Sequence, residues 1–156
     1  MKITLAIALA AVLFLPLNAQ KGLSGLWEGV ITEGGLHSKE GYRFQLYLEV
    51  KGKDIEGRSY IFVSVDSIVQ MDLRGKLYQD NSVYLEEVGR EWTEAEEAAI
   101  EEGVPPGKFS RKYQFIYKRS IWDPSLEGYW QEVTPMPFYF KRERGKIFLE
   151  KKGSKA

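Results

Sequence analysis

The chain has 156 residues, no cysteine, one histidine, and 22 basic against 22 acidic side chains. Its 44% hydrophobic and 13% aromatic content fits a folded globular protein rather than a disordered or low-complexity one. Without cysteine there is no disulfide framework, thiolate metal site, cysteine nucleophile or lipidated cysteine. Zero net charge removes the usual signature of a nucleic-acid binder, and a single histidine leaves no metal or other cofactor implied.

Residues 1–19 read as a signal peptide. Met1-Lys2 is a short positive start, and Ile3 to Leu17 is apolar apart from Thr4. The run is short for spanning a bilayer and matches an h-region, and Ala19 before Gln20 suits signal peptidase. An uncleaved anchor is the competing reading. Cleavage predicts a secreted or periplasmic protein with one net negative charge, because Lys2 is the leader's only charged side chain. No second apolar stretch of comparable length follows, so residues 20–156 are expected to form one domain not integral to a membrane.

The mature chain has a period of two. Leu26 to Thr32, preceded by Gly25, is the opening strand. From Tyr42 to Lys51 every even position is apolar, as expected of a strand with one buried face. Lys51-Gly52-Lys53-Asp54 supplies a turn, and Ile55 to Val63 returns, with Gly57 marking a bend. Ser67 to Leu77 and Val83 to Val88 flank the turn at Gln79-Asp80-Asn81-Ser82. Then come Phe109 to Lys118, the turn Trp122-Asp123-Pro124, Leu126 to Val133 and Lys146 to Lys151. Lys151 to Ala156 reads as a frayed tail. Between two strands, Thr93 and Glu96 form a capping box for one short helix over Glu94 to Glu102, stopped by Gly103 and Pro105-Pro106. All 15 glycines fall after residue 20, which fits many turns and corners. The pattern predicts an all-β, up-and-down antiparallel barrel of about eight strands with one inserted helix. A sandwich is the alternative.

Gly25-Leu26-Trp27-Glu28-Gly29 resembles the G-x-W start of lipocalin and other calycin barrels. Lys53-Asp54-Ile55-Glu56-Gly57-Arg58-Ser59-Tyr60 also looks like a strand of avidin-type barrels, although Gly29 stands where biotin recognition would need asparagine. Leu126-Glu127-Gly128-Tyr129-Trp130 echoes the opening motif, implying two tryptophans in similar surroundings. The resemblance implies a tryptophan plugging the barrel base, with Arg142 or Arg144 packed over Trp27. It also implies a non-enzymatic exported barrel that binds a small apolar ligand or a partner protein.

Tyr42, Phe44, Tyr113, Phe115, Tyr117 and Trp130 are the candidate ligand-binding set; they either line an apolar pocket or fill the interior. Glu86, Glu87, Glu127 and Glu132 are candidate carboxylates for a glycan hydrolase, although adjacent Glu86 and Glu87 must leave a strand on opposite faces. His37 sits in a Gly-rich loop without a nucleophile beside it. No catalytic set is assigned. Charge is uneven: Glu86 to Glu102 is acidic, whereas Lys108 to Arg119 and Lys141 to Lys155 are basic. The basic stretches either face anionic glycans, lipopolysaccharide or an acidic protein, or are neutralised within the domain. Pro135 to Phe140 displays aromatics that either cover a barrel mouth or form a contact surface. A structural cell-surface module is a third functional reading.

Overall fold

The computed structural model describes residues 22–88, 94, 98, 110–133 and 143–153. Eight strands run in chain order: β1 Gly25–Thr32, β2 Gly41–Lys51, β3 Asp54–Ser64, β4 Ser67–Leu77, β5 Ser82–Val88, β6 Ser110–Lys118, β7 Ser125–Val133 and β8 Arg144–Lys151. Each pairs antiparallel with its sequence neighbour, and β8 pairs back to β1 from Trp27↔Lys151 to Ile31↔Ile147, closing the barrel. The expected all-β barrel is therefore correct and the sandwich is not. The helix expected over Glu94 to Glu102 lies outside the described residues save for Glu94 and Ala98, and Pro135 to Phe140 lies wholly outside them.

Closure follows from the alternation. In β2 the buried positions are Phe44, Leu46 and Leu48, with Arg43, Gln45, Tyr47 and Glu49 turned outward. Every other strand repeats this rule, so the inner faces share one apolar core. Tight turns at the base carry the required backbone. Gly52 (φ 67°) turns β2 into β3, and Asn81 (φ 65°) turns β4 into β5. A register shift between Phe62 and Ser64 bends the β3–β4 ladder at the opposite end. Gly128 in β7 marks a close approach: a Cβ there would lie 1.8 Å from the Gln114 carbonyl oxygen on β6.

The chain enters the barrel at its base. That end carries the β2–β3, β4–β5 and β6–β7 turns, and the last is held by the Trp122 and Asp123 amides donating to Ser120 Oγ. The other end, the loop end, carries residues 33–40 and the connections after β3, β5 and β7. Lys151 does not belong to a frayed tail. It is the last residue of β8, and the Lys152 amide donates to the Leu26 carbonyl at 2.8 Å.

Candidate functional site

Three regions of the barrel hold the candidate residues: the interior, the polar cluster at the loop end, and the outer wall.

The interior is occupied by its own side chains. Phe44, Tyr113, Phe115, Tyr117 and Trp130 all belong to the buried core, and Tyr42 packs against it. Tyr113 stacks on Phe44 at 5.9 Å and on Phe115 at 6.3 Å, and Tyr117 meets Trp27 edge to face at 5.9 Å. Five of the six expected residues thus lie in one packed core and Tyr42 lies against it, with Tyr117 at the base and Trp130 at the loop end. The two tryptophans sit at opposite ends in matching environments. Trp27 closes the base: its Nε1 donates to the Leu23 carbonyl at 2.9 Å and the Lys151 ammonium lies 5.7 Å from its ring. Trp130 closes the loop end: its Nε1 donates to the Thr32 carbonyl at 2.7 Å and the Arg111 guanidinium stands 4.5 Å over its ring. The echo of the opening motif is therefore real in space. The expected cap on Trp27 needs correction, because Arg144 pairs with Gln131 at the far end and Lys151 takes that place. Arg142 lies outside the described residues.

The loop end holds a polar cluster. Glu87 accepts hydrogen bonds from the Tyr113 hydroxyl at 2.6 Å and the Arg111 amide at 2.9 Å. The Arg111 guanidinium reaches Glu33 at 3.1 Å. Burial, then the Glu87 charge, pushes the Tyr113 phenol well above its usual range, so it stays a donor. Burial likewise raises the Glu132 carboxyl, partly offset by the Glu143 amide that donates to it. Ser59 Oγ is fully buried and makes no hydrogen bond. The candidate carboxylates separate as strand geometry demands. Glu86 faces out, accepting from the Tyr84 hydroxyl, and burial with that contact lifts the Tyr84 phenol to about 12. Glu127 faces out and pairs with Lys118 at 2.5 Å. Glu87 and Glu132 are each engaged in holding backbone amides. His37 is exposed in the β1–β2 loop. Among the described residues no group of acidic or histidine side chains can hold a metal ion.

The outer wall of β5–β8 is mixed in chemistry. Its register forms rows across the strands. Glu86, Lys112, Gln131 and Arg144 make one row; Tyr84, Gln114, Tyr129 and Lys146 make the next; Ile116, Glu127, Phe148 and Val30 make a third. Three hollows open on this wall. One of about 490 Å³ lies between Tyr78, Tyr84, Ile116 and Tyr129. Another of about 470 Å³ lies between Tyr129, Ile116, Phe148 and Val30. A third of about 190 Å³ lies between Tyr129, Lys112, Gln131, Arg144 and Leu36. Tyr129, half exposed, lines all three. Internal neutralisation accounts for only part of the basic stretches. Lys118 pairs with Glu127, Arg111 with Glu33 and Lys152 with Glu28, whereas Lys112, Arg144 and Lys146 form no ion pair among the described residues.

Sequence reasoning missed Tyr129, Gln114 and Gln131. As polar-face residues of strands they carry no signal of their own. Only the register shows that β6 and β7 bring them together. Comparison with protein families, characterised proteins and solved structures found no match.

Proposed function

We propose that this chain is an exported, non-enzymatic binding module that recognises its partner on the outer wall of β5–β8. One observation carries the reading: three hollows meet at Tyr129 on the outside, while buried tryptophans close both ends of a packed interior. Exposed concave patches with apolar floors and polar rims are where monomeric domains meet partners. The lipocalin-like reading belongs to this proposal. It is supported by the eight-strand closure and the plugging Trp27, with the working surface moved from the interior to the wall. Export rests on the leader in residues 1–19. Hydrolysis by a carboxylate pair is disfavoured, since Glu87 and Glu132 are occupied by structural hydrogen bonds.

The test places a photo-crosslinking residue at position 129, or at the outward Tyr47 on the far wall, in the full-length chain in its own host. The reading expects a discrete adduct from position 129 and none from 47. Equal labelling from both positions, or none from 129, overturns it. So does native mass spectrometry that finds an apolar molecule retained by the intact barrel and released by interior substitutions such as Phe115→Ala.

A further inference from the structure

We infer that the outer wall around Tyr129 binds an acidic polysaccharide, with sugar rings against Tyr129 and sugar carboxylates or sulfates on Lys112, Arg144 and Lys146. This rests on the outer-wall reading above and names the class of ligand.

Four observations point to it. First, Lys112, Arg144 and Lys146 form no ion pair among the described residues; Lys112 faces Glu86 across the β5–β6 ladder, so Arg144 and Lys146 are the charge that the wall chiefly offers an anion. Elsewhere several outward cations are paired, Arg43 with Glu28, Arg58 with Asp72 and Lys51 with Glu49 and Glu56. Arg74 and Lys76 on β4 stand exposed without an ion pair among the described residues, but they line none of the three hollows that meet at Tyr129.

Second, the sheet fixes the distances between the cations. Lys112 and Arg144 face each other across Gln131, two strand spacings or about 9.5 Å apart at the backbone. Lys146 is two residues farther along β8. An extended polymer crossing the wall can set two of its anions on two corners of that triangle.

Third, Gln114 and Gln131 flank the half-exposed Tyr129. Amides that both donate and accept suit vicinal hydroxyls, and an aromatic face suits the apolar C–H face of a pyranose. The hollows lie on the outside of a sheet and cover one side of an occupant. That fits a chain running across the wall better than a small molecule, which needs most of its surface enclosed.

Fourth, the barrel is closed. It has no free edge to which an extended acidic peptide can add as a strand, the mode that would otherwise use a sheet for peptide binding.

Binding is measured by isothermal titration calorimetry on the mature chain. The probes are galacturonic-acid oligomers, sulfated galactose oligomers, neutral galactose oligomers and poly-glutamate. The inference expects one acidic oligosaccharide to bind and the neutral one not to. Comparison of the uronate and sulfate arms identifies the anion. Tyr129→Ala should weaken binding about tenfold or more, as should the pair Lys112→Glu with Arg144→Glu. Tyr47→Ala should leave it unchanged. These outward substitutions are checked for unchanged thermal unfolding, and Tyr129→Phe, which keeps the ring, should retain most of the affinity. Poly-glutamate binding as tightly as the oligosaccharides, or oligosaccharide affinity indifferent to Tyr129→Ala, overturns the inference in favour of a bare charge patch. If no oligosaccharide binds while position 129 still yields a protein adduct, the polysaccharide is wrong and the outer-wall reading stands. If neither is seen, both fail.

Discussion

At the scale of single residues, the two buried tryptophans and a few carboxylates carry the sharpest expectations. Trp27 and Trp130 are fully buried, each with an indole N–H satisfied by a backbone carbonyl and a cation over the ring. Truncating either to alanine opens a void and strands a carbonyl. We expect a loss of about 3–5 kcal/mol in chemical denaturation for each. Two glutamates should give pH profiles of opposite sign. Glu28 is held below its usual value of 4.5, first by the hydrogen bond from Gln45 and also by Arg43 and Lys152. Its contribution is present above the unfolded value and is lost as pH falls through the lower folded one. Glu132 is raised by burial, so its contribution is present below 4.5 and lost as pH rises through the folded value. Glu28→Gln should therefore cost about 0.5 kcal/mol near neutrality and little in acid. Glu132→Gln, which keeps an oxygen for the Glu143 amide, should become stabilising relative to the parent as pH rises. Parallel profiles for the two variants would contradict these assignments.

At the scale of elements, the ladders depend on places where a side chain has no room. A Cβ on Gly75 would meet the Tyr84 carbonyl oxygen at 1.7 Å, and one on Gly128 the Gln114 oxygen at 1.8 Å. Both obstacles are backbone, which cannot turn aside as a side chain can. Gly75→Ala and Gly128→Ala should each cost about 1–3 kcal/mol by thermal or urea unfolding. Gly52→Ala, with open space around it but φ of 67°, should cost less, about 1 kcal/mol. The elements were largely legible in sequence. Alternation placed β2, β4 and β6 within a residue of their ends, because one inner face is apolar in each. It ended β8 correctly but started it late, at Lys146 rather than Arg144, since Gly145 is buried without being apolar.

For the molecule as a whole, closure is the governing fact. β8 pairs with both β7 and β1, so removing it exposes two ladders at once. Truncation before Arg144 should abolish cooperative folding, seen as loss of near-ultraviolet circular dichroism. Both described ends of the chain lie together at the base, where the Lys151 ammonium donates to the Gly22 carbonyl. A permutant joining residue 153 to residue 22 by a short linker, and opened between Gly52 and Lys53, keeps every ladder and should fold with a modestly lowered melting temperature. Loss of the fold in that permutant would mean that the β2–β3 turn does more than connect.

The sequence by itself determined the strand set, the turns, the inward-facing aromatics and the two tryptophans in like surroundings. All of these are local: a period of two, a glycine or asparagine at a turn, a short motif repeated. Only the tertiary structure decided that the aromatics fill the barrel against one another, that Lys151 and Arg111 cap the tryptophans, and that Tyr129 stands among Lys112, Arg144 and Lys146. Those outcomes depend on register between strands distant in sequence, and no spacing along one strand records what lies across from it.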